Sequence, residues 1–134
     1  MIFLARFAPS MGARLAKSID WPAVARRPRD AIVDCLLGRG ARVVALKLGK
    51  DGAYVATPEE RRVVPGHVVA AVDATGAGDC FGGAFVARLV AGDDPFAAAR
   101  YANAAAALST LGYGAVAPIP RREDVERLLA SQST

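Results

Sequence analysis

Short apolar runs separated by turn residues divide the chain into alternating strand-like and helix-like segments. Residues 43–48 are almost continuously apolar, which is typical of a strand covered on both faces. Glycines in residues 49–52 predict a turn that leads back into residues 53–56, so a hairpin is expected here. The β-branched residues at 63–64 and 68–72 predict further strand immediately before a glycine-rich stretch.

Helices are predicted from apolar periodicity and from residues that favour helix ends. Residues 2–7 form a short apolar run ahead of Ser10, which is a good N-cap residue. The pair Asp94 and Pro95 combines a cap with a proline, which is favoured at the first helical position. The predicted helical stretches are residues 10–19, a segment from Asp30 to the glycines near 38, residues 80–90, residues 95–111 and a polar segment after Pro120.

The alternation of strands and helices makes this an α/β chain, with a sheet that includes at least one hairpin. Its 134 residues are enough for one hydrophobic core but not for two. The early strands have few partners within this length, so an unpaired edge would remain unless another chain or segment covered it. The chain is therefore expected to form part of a larger sheet.

Composition and charge exclude several other classes of protein. Hydrophobic residues make up 53% of the chain and charged residues 22%, which is ordinary for a globular domain and not for a disordered chain. The net charge of +4 comes largely from short arginine pairs without interleaved aromatic residues, so no nucleic-acid partner is expected. No apolar stretch reaches the roughly 18 residues of a membrane span, and no membrane partner is expected.

The cysteine and histidine content points to neither a disulfide framework nor a zinc site. Only Cys35 and Cys80 occur, without a CxxC pair and without a histidine cluster. A reducing cytoplasm is the simplest compartment for such a chain. The single histidine, His67, is expected to be structural or to face solvent.

The glycine-rich segment DATGAGD, residues 73–79, is predicted to join a strand to a helix and to carry the chemistry. The amides of Gly76, Ala77 and Gly78 can point at a bound anion, and the helix dipole reinforces that attraction. Asp79 in the first turn would repel phosphate unless its role is to remove a proton. The alternative is a turn in which the glycines merely permit packing.

Two common nucleotide-binding patterns do not fit this segment. The Rossmann pattern would need a glycine where Phe81 stands. A P-loop would need an earlier glycine and a following Ser or Thr around Gly49-Lys50. If the chain binds a nucleotide, it does so in a different way.

The run DATGAGDCFGGAF, residues 73–85, resembles the signature of the ribokinase family, or PfkB-type, sugar kinases. The resemblance implies that the chain phosphorylates a sugar hydroxyl with ATP and Mg²⁺. It makes Asp79 the catalytic base, and it makes Gly76, Ala77 and Gly78 the anion hole for the transferred phosphoryl group. It also implies a ribokinase-like α/β fold, with the C-terminal part of a mostly parallel sheet flanked by helices.

Three further segments resemble the same family and imply a nucleotide pocket and a cation site. Residues 46–52 resemble the nucleotide-side strand and turn, with Lys47, Gly49 and Gly52 near ATP. Residues 101–107 resemble the helix along the adenine pocket, where Asn103 would lie beside the base or else serve helix packing. Asp73, Thr75 and Gly114 match positions that hold a monovalent cation such as K⁺ in many relatives, the alternative being that Asp73 caps local amides and Thr75 packs.

The resemblance also shows what this chain lacks. Complete family members are much longer, so residues 1–134 are expected to be a single partial kinase domain without the N-terminal sugar-binding half and lid. Ala13 stands where an acidic residue of relatives helps to organise magnesium. The expected partners are ATP, a small sugar or sugar acid, and either a second copy or the missing half.

The sequence leaves alternatives open for the sugar substrate and for whether the chain is catalytically active. Residues 108–121 most resemble bacterial 2-keto-3-deoxygluconate kinases, with fructose or ribose as the next candidates. The alternative to catalysis is a nucleotide-binding fragment or remnant of such a kinase that does not turn over its substrate.

Overall fold

The computed structural model describes residues 3–7 and 20–132. The helix predicted from Ser10 and the position of Ala13 lie outside these residues. The strands are β1 (Phe3–Phe7), β2 (Ala41–Lys47), β3 (Ala53–Ala56) and β4 (Arg61–Val64). The helices are α1 (Trp21–Ala25), α2 (Arg29–Gly38), α3 (Ala77–Val90), α4 (Pro95–Ser109) and α5 (Arg122–Ser131), with a 3₁₀ turn at Gly49–Asp51.

The four described strands form one sheet in the order β1-β2-β3-β4, and every neighbouring pair among them is antiparallel. This pairing differs from the mostly parallel sheet that was expected. For β2-β3 and β3-β4 the reason lies in the connections, because the short turns after β2 and after β3 reverse the chain and allow only antiparallel neighbours. The predicted hairpin over residues 53–56 is confirmed, with Lys47 opposite Ala53.

The sheet is the middle of three layers. Val43 and Ala45 of β2 pack on one face with residues of α3 and α4. Val44 and Leu46 pack on the other face with residues of α1 and α2. Because alternate residues of a strand point to opposite faces, the apolar run of β2 is buried on both sides, as the sequence predicted.

The layer next to the glycine-rich segment is held by two phenylalanines of α3. Phe81 and Phe85 are each 1% exposed, and their rings stack with centroids 5.6 Å apart. They pack against small side chains of α4, including Ala98, Ala99 and Ala102, which let the two helices approach closely. Each buried phenylalanine contributes about 1.5–3 kcal/mol to stability, so α3 is firmly anchored.

The strand predicted over residues 68–72 is not formed. β4 ends at Val64, and Pro65 has no N–H to continue a ladder. Val68 is fully exposed at 101% of its reference area, so this stretch runs outside the sheet. The backbone N–H groups of Val72 and Asp73 instead donate to the carbonyl oxygen of Thr110, at 2.7 and 3.1 Å, just beyond the end of α4.

Within the described residues, the helix predictions agree with the structure apart from their ends. The Asp94 side chain caps α4 by accepting from the N–H groups of Phe96 and Ala97. The helix α3 starts at Ala77, three residues before the predicted start at Cys80, and therefore includes the end of the glycine-rich segment. No helix in the described ranges is long and apolar enough to cross a membrane.

Gly52 fixes the turn after β2 by a close backbone contact. Its φ is +101°, and a Cβ placed there would lie 2.1 Å from the Val64 carbonyl oxygen and 2.5 Å from the Gly66 nitrogen. Any side chain would therefore push the turn away from the segment that follows β4. Gly83 of α3 is the opposite case, because nothing lies within 4 Å of its added Cβ.

We predict that Gly52→Ala destabilises the chain by about 2 kcal/mol or more, because it combines a positive φ with a backbone clash. The matched Gly83→Ala change should stabilise it by about 0.5–1 kcal/mol, because alanine is the better residue in a helix interior. Urea unfolding of both variants measures the two changes. Equal stability of the two variants would contradict the close contact at Gly52.

Candidate functional site

The carboxylate of Asp73 ties the glycine-rich segment to the loop that follows α4. Its Oδ1 accepts from the N–H and the hydroxyl of Thr75, at 2.9 and 2.6 Å. Its Oδ2 accepts from the N–H of Gly114, at 2.9 Å. These hydrogen bonds lower the pKa of Asp73 from 3.8 to about 2, with the Thr75 hydroxyl as the largest cause. Asp73 is therefore ionised at any ordinary pH.

Gly76 brings the start of α3 against the same loop. It is the residue before the helix and has φ +79°, in the left-handed region. A Cβ at this position would lie 2.8 Å from the Ala115 Cβ and 3.0 Å from its Cα. Both the backbone angle and the close approach require glycine here.

The amides at the start of α3 are only partly free. The N–H of Ala77 donates to the carbonyl oxygen of Ala74 at 3.1 Å, so this amide is engaged within the turn. The amides of Gly76, Gly78 and Asp79 have no partner among the described residues, as expected for the first turn of a helix. Of the three amides predicted to face an anion, the structure leaves Gly76 and Gly78 available, and it adds Asp79.

Asp79 lies in the first turn of α3 with an exposed side chain. No hydrogen bond or ion pair joins its carboxylate to the other described residues, in contrast to Asp73. An unengaged carboxylate beside free helix amides is available for proton transfer to a bound molecule.

A cavity of about 610 Å³ lies beside the start of α3. It brings together four parts of the chain that the sequence had connected only by resemblance. They are the end of β2 with its 3₁₀ turn, the segment after β4, the glycine-rich segment and α4. The predicted site residues in its lining are Lys47, Gly49, Ala77, Gly78 and Asn103.

Lys47 is the half-buried cation of this cavity. Its Nζ lies 4.2 Å from the centre of the Phe81 ring, a favourable cation–π arrangement. Burial lowers the pKa of Lys47, and the nearby Cys80 opposes that shift. Burial also raises the pKa of the Cys80 thiol, so the thiol is not activated by its place at the start of the helix. A half-buried ammonium that has no carboxylate partner among the described residues suits an anionic ligand.

Asn103 has the packing role that the sequence offered as one of two alternatives, and it also lines the cavity. Its Nδ2 donates to the carbonyl oxygens of Val64 and Pro65, at 3.0 and 3.1 Å, and so anchors the end of β4. The residue is 3% exposed and lines the cavity, and its Oδ1 has no hydrogen-bond partner. Asn103 thus joins α4 to the end of β4 and keeps one buried oxygen without a partner among the described residues.

Gly52 and His67 have places that the sequence did not specify. Gly52, expected near a nucleotide, is buried against residues 64–66 and outside the cavity lining, where it shapes the turn. His67, expected to be structural or to face solvent, lies against the Gln132 side chain and lines the cavity. The close approach of Gly52 and Gly66, at the ends of the neighbouring strands β3 and β4, brings the segment of His67 to this cavity.

Gly76 and Asp79 line a second cavity, of about 630 Å³, between α3, α4 and α5. Arg88 and Arg122 lie in its lining, and both are engaged with carboxylates. Arg88 donates to Asp93 through Nε and Nη2, at 2.8 and 2.9 Å, and Arg122 donates to Glu126 at 2.7 Å. Four consecutive residues, 76–79, therefore contribute to two different cavities.

The predicted cation ligands Asp73, Thr75 and Gly114 do lie together, joined by the hydrogen bonds of Asp73. Each carboxylate oxygen and the Thr75 hydroxyl keep lone pairs that could face a monovalent ion. No group of three or more His, Cys, Asp or Glu side chains suited to a metal occurs in the described part of the chain.

Comparison with known proteins gives the class of this chain. Residues 23–122 match the family model described as "pfkB family carbohydrate kinase". A match over this much of the sequence shows that the chain belongs to the pfkB carbohydrate kinase family. Enzymes of this family are phosphotransferases, and their ribokinase-like fold is confirmed for this chain.

Individual relatives include ribokinases and an acid-sugar kinase. A Bacillus subtilis ribokinase is 43% identical over 82 residues, which are 61% of this chain and 28% of the relative. A 2-dehydro-3-deoxygluconokinase of the same species is 33% identical over 130 residues, which are 90% of this chain and 40% of the relative.

Solved structures agree with this assignment. The ribokinase of Thermotoga maritima gives a TM-score of 0.75 at 37% identity, over 86% of this chain and 38% of that one. A structure from Escherichia coli described as ribokinase II in complex with ATP and Mg²⁺ gives a TM-score of 0.73 at 36% identity. This match covers 78% of this chain and 34% of that one. The chain thus spans well under half the length of these relatives.

We predict that Asp73→Asn lowers stability at neutral pH and that the difference from the natural chain disappears in acid. The folded pKa of about 2 lies below the ordinary 3.8, so the carboxylate stabilises the fold above about pH 4. That contribution is lost as the pH falls from about 4 to about 2. Urea unfolding midpoints across this range measure it.

The matched control is Glu59→Gln, which neutralises an exposed carboxylate outside the site. Its unfolding midpoint should follow that of the natural chain at every pH. A stability gap for Asp73→Asn that is the same at pH 2 and pH 7 would exclude the proposed stabilisation by the Asp73 charge.

Proposed function

We propose that this chain carries the ATP-binding and catalytic residues of a kinase that phosphorylates a hydroxyl group of a sugar or sugar acid. The observation that carries the proposal is the position of residues 76–79 at the start of α3. Ala77 and Gly78 line one cavity, while Gly76 and Asp79 line the other. A nucleotide in the first cavity and a hydroxyl beside Asp79 would place the transferred group at the free amides between them.

The first cavity has the properties that a nucleotide requires. Most of its lining is apolar, which suits a nucleobase. Lys47 and Gly49 line the part of the cavity formed by the end of β2 and the turn that follows it. The free amides of Gly76 and Gly78 and the positive end of the α3 dipole favour phosphate at the helix start. They form the proposed anion hole, with Ala77 contributing backbone shape and not a free N–H.

Asp79 is the proposed general base. It accepts the proton of the sugar hydroxyl while the hydroxyl oxygen forms a bond to the γ-phosphorus and the bond to the β,γ-bridging oxygen breaks. ADP leaves with the electron pair of that bond. Mg²⁺ bound with the nucleotide would supply charge neutralisation at the phosphates, and phosphate oxygens and water are ligands that Mg²⁺ commonly keeps.

A monovalent cation such as K⁺ is proposed to bind at the loop around Asp73. Support comes from the ionised carboxylate of Asp73 and from its hydrogen bonds to Thr75 and Gly114, which bring the two loops together. A cation there would add positive potential behind the amides of the anion hole.

The substrate is proposed to be 2-keto-3-deoxygluconate or a related sugar, with ribose and fructose as alternatives. The deoxygluconokinase relative aligns with 90% of this chain, which favours an acid sugar. The arginines in the second cavity are already paired with Asp93 and Glu126, so a substrate carboxylate there would have to compete with those carboxylates.

The second candidate function is nucleotide binding without turnover by this chain alone. It is favoured by coverage of only 28–40% of the relatives named above. In that case the sugar site would need residues of a further polypeptide segment or of a second copy. A reducing cytoplasm is the proposed compartment for either function, and it suits the two free cysteines.

We predict that Asp79→Asn lowers sugar-dependent ADP formation by about 10²–10⁴-fold, because the hydroxyl loses its proton acceptor. ATP binding should be retained within a few-fold, since the substitution leaves the backbone amides at the start of α3 in place. Turnover with Mg²⁺ and K⁺ is measured against ribose, fructose and 2-keto-3-deoxygluconate, and binding is measured by calorimetry.

Glu123→Gln is the control, because Glu123 is another exposed carboxylate in the first turn of a helix. It should leave turnover unchanged. Turnover that survives in Asp79→Asn would remove Asp79 as the base. ATP binding without turnover in the natural chain would instead favour the second candidate function.

We also predict that Lys47→Met weakens ATP binding by about 10- to 100-fold, because a charge-assisted contact to phosphate is lost. Adenosine, which has no phosphate, should bind equally to both forms. Calorimetry with the two ligands separates these effects. An equal loss for adenosine would show that Lys47 supports the cavity and not the phosphates.

A further inference from the structure

Gly83 lies in the middle of α3, where a glycine lowers the stability of a helix relative to alanine. Nothing in the described part of the chain requires glycine there. Its φ is not positive, and a Cβ added to it would meet no neighbouring atom within 4 Å. The residue is exposed, and it lines the 630 Å³ cavity together with Asp79.

A side chain at position 83 would point toward Asp79. In a helix the Cα–Cβ bond tilts toward the N-terminus and residues four apart lie on the same face, so a side chain covers the turn before its own Cα. For Gly83 that is the turn of Asp79. The missing side chain therefore leaves free the space beside the carboxylate that the proposed function assigns to a sugar hydroxyl.

The open space continues along α3 beyond Gly83. Ala87 lies one further turn along the same face and also lines this cavity. The eight residues from Asp79 to Ala87 rise by about 12 Å, which is longer than an extended six-carbon chain. A side chain larger than a methyl group at position 83 would close this space at its middle.

We propose that Gly83 is a specificity-determining residue of the sugar site, because its lack of a side chain admits the body of a six-carbon sugar or sugar acid beside Asp79. The inference rests on the proposed function, since it takes the second cavity as the sugar site. A larger residue at this position would restrict the site to shorter sugars. Gly83 acts on which sugar binds and takes no part in the phosphoryl transfer.

Two neighbouring glycines supply a matched pair of variants. Gly83→Ala adds a methyl group inside the cavity, whereas Gly82→Ala adds one at a position that is equally open but lies outside the linings of both cavities. Both variants should be at least as stable as the natural chain, because alanine is the better residue in a helix. Gly83→Leu extends the side chain toward Asp79.

We expect KM for 2-keto-3-deoxygluconate to rise about 10-fold in Gly83→Ala and about 100-fold in Gly83→Leu, with kcat changed less than KM. KM for ribose, which is one carbon shorter, should rise less, so both variants should shift the preference toward ribose. Gly82→Ala should match the natural chain with both sugars, and KM for ATP should stay unchanged throughout. ADP formation with Mg²⁺ and K⁺ measures these constants, and calorimetry gives the same comparison for sugar binding without turnover.

Turnover of 2-keto-3-deoxygluconate with the same KM in Gly83→Leu and the natural chain would overturn the role of Gly83 and leave the proposed kinase standing. Loss of a dimer in that variant, with sugar kinetics unchanged, would show instead that the open glycine faces a second copy. An equal rise of KM for both sugars would overturn selection by size. A natural chain that binds ATP but no sugar would overturn the sugar site and this inference with it.

Discussion

The ionised carboxylate of Asp73 is the constraint on which the rest of the site depends. It accepts hydrogen bonds from Thr75 on its own side and from Gly114 across the site, so one side chain holds two loops in register. The carbonyl oxygen of Thr110 adds two backbone hydrogen bonds next to it. The start of α3 is therefore fixed against the loop that follows α4, and Gly76 makes the approach to Ala115 possible.

The site contains several polar groups of a kind that would lower the stability of the folded state elsewhere in a protein. Around one end of α3 lie the amides of Gly76 and Gly78, a half-buried ammonium at Lys47, and a buried polar atom on each of Asn103 and His67. The two amides and the two buried atoms have no hydrogen-bond partner among the described residues. The packed core behind them, with Phe81 and Phe85 at its centre, offsets these costs. Such local conflicts are expected where a ligand supplies the missing partners.

The sequence predicted the parts of this molecule that depend on local signals. The continuous apolar run of β2, the cap of α4 by Asp94 and the turn at Gly49–Asp51 could all be predicted, because each follows from neighbouring residues. The course of residues 68–72 was predicted wrongly, because β-branched residues favour a strand only where a partner strand is available. The engaged amide of Ala77 depends on a tight turn, and the place of His67 depends on the close approach of Gly52 and Gly66 at neighbouring strand ends; neither leaves a pattern in the sequence.

The most direct test of the account is to locate bound phosphate by backbone amide NMR. Addition of a non-hydrolysable ATP analogue with Mg²⁺ should shift the amide signals of Gly76, Gly78 and Asp79, while adenosine should leave them nearly unchanged. The amide of Ala77, already bonded to Ala74, should move less than its neighbours. Shifts that avoid the start of α3, or equal shifts with adenosine, would contradict the claim that this helix end holds the transferred phosphate.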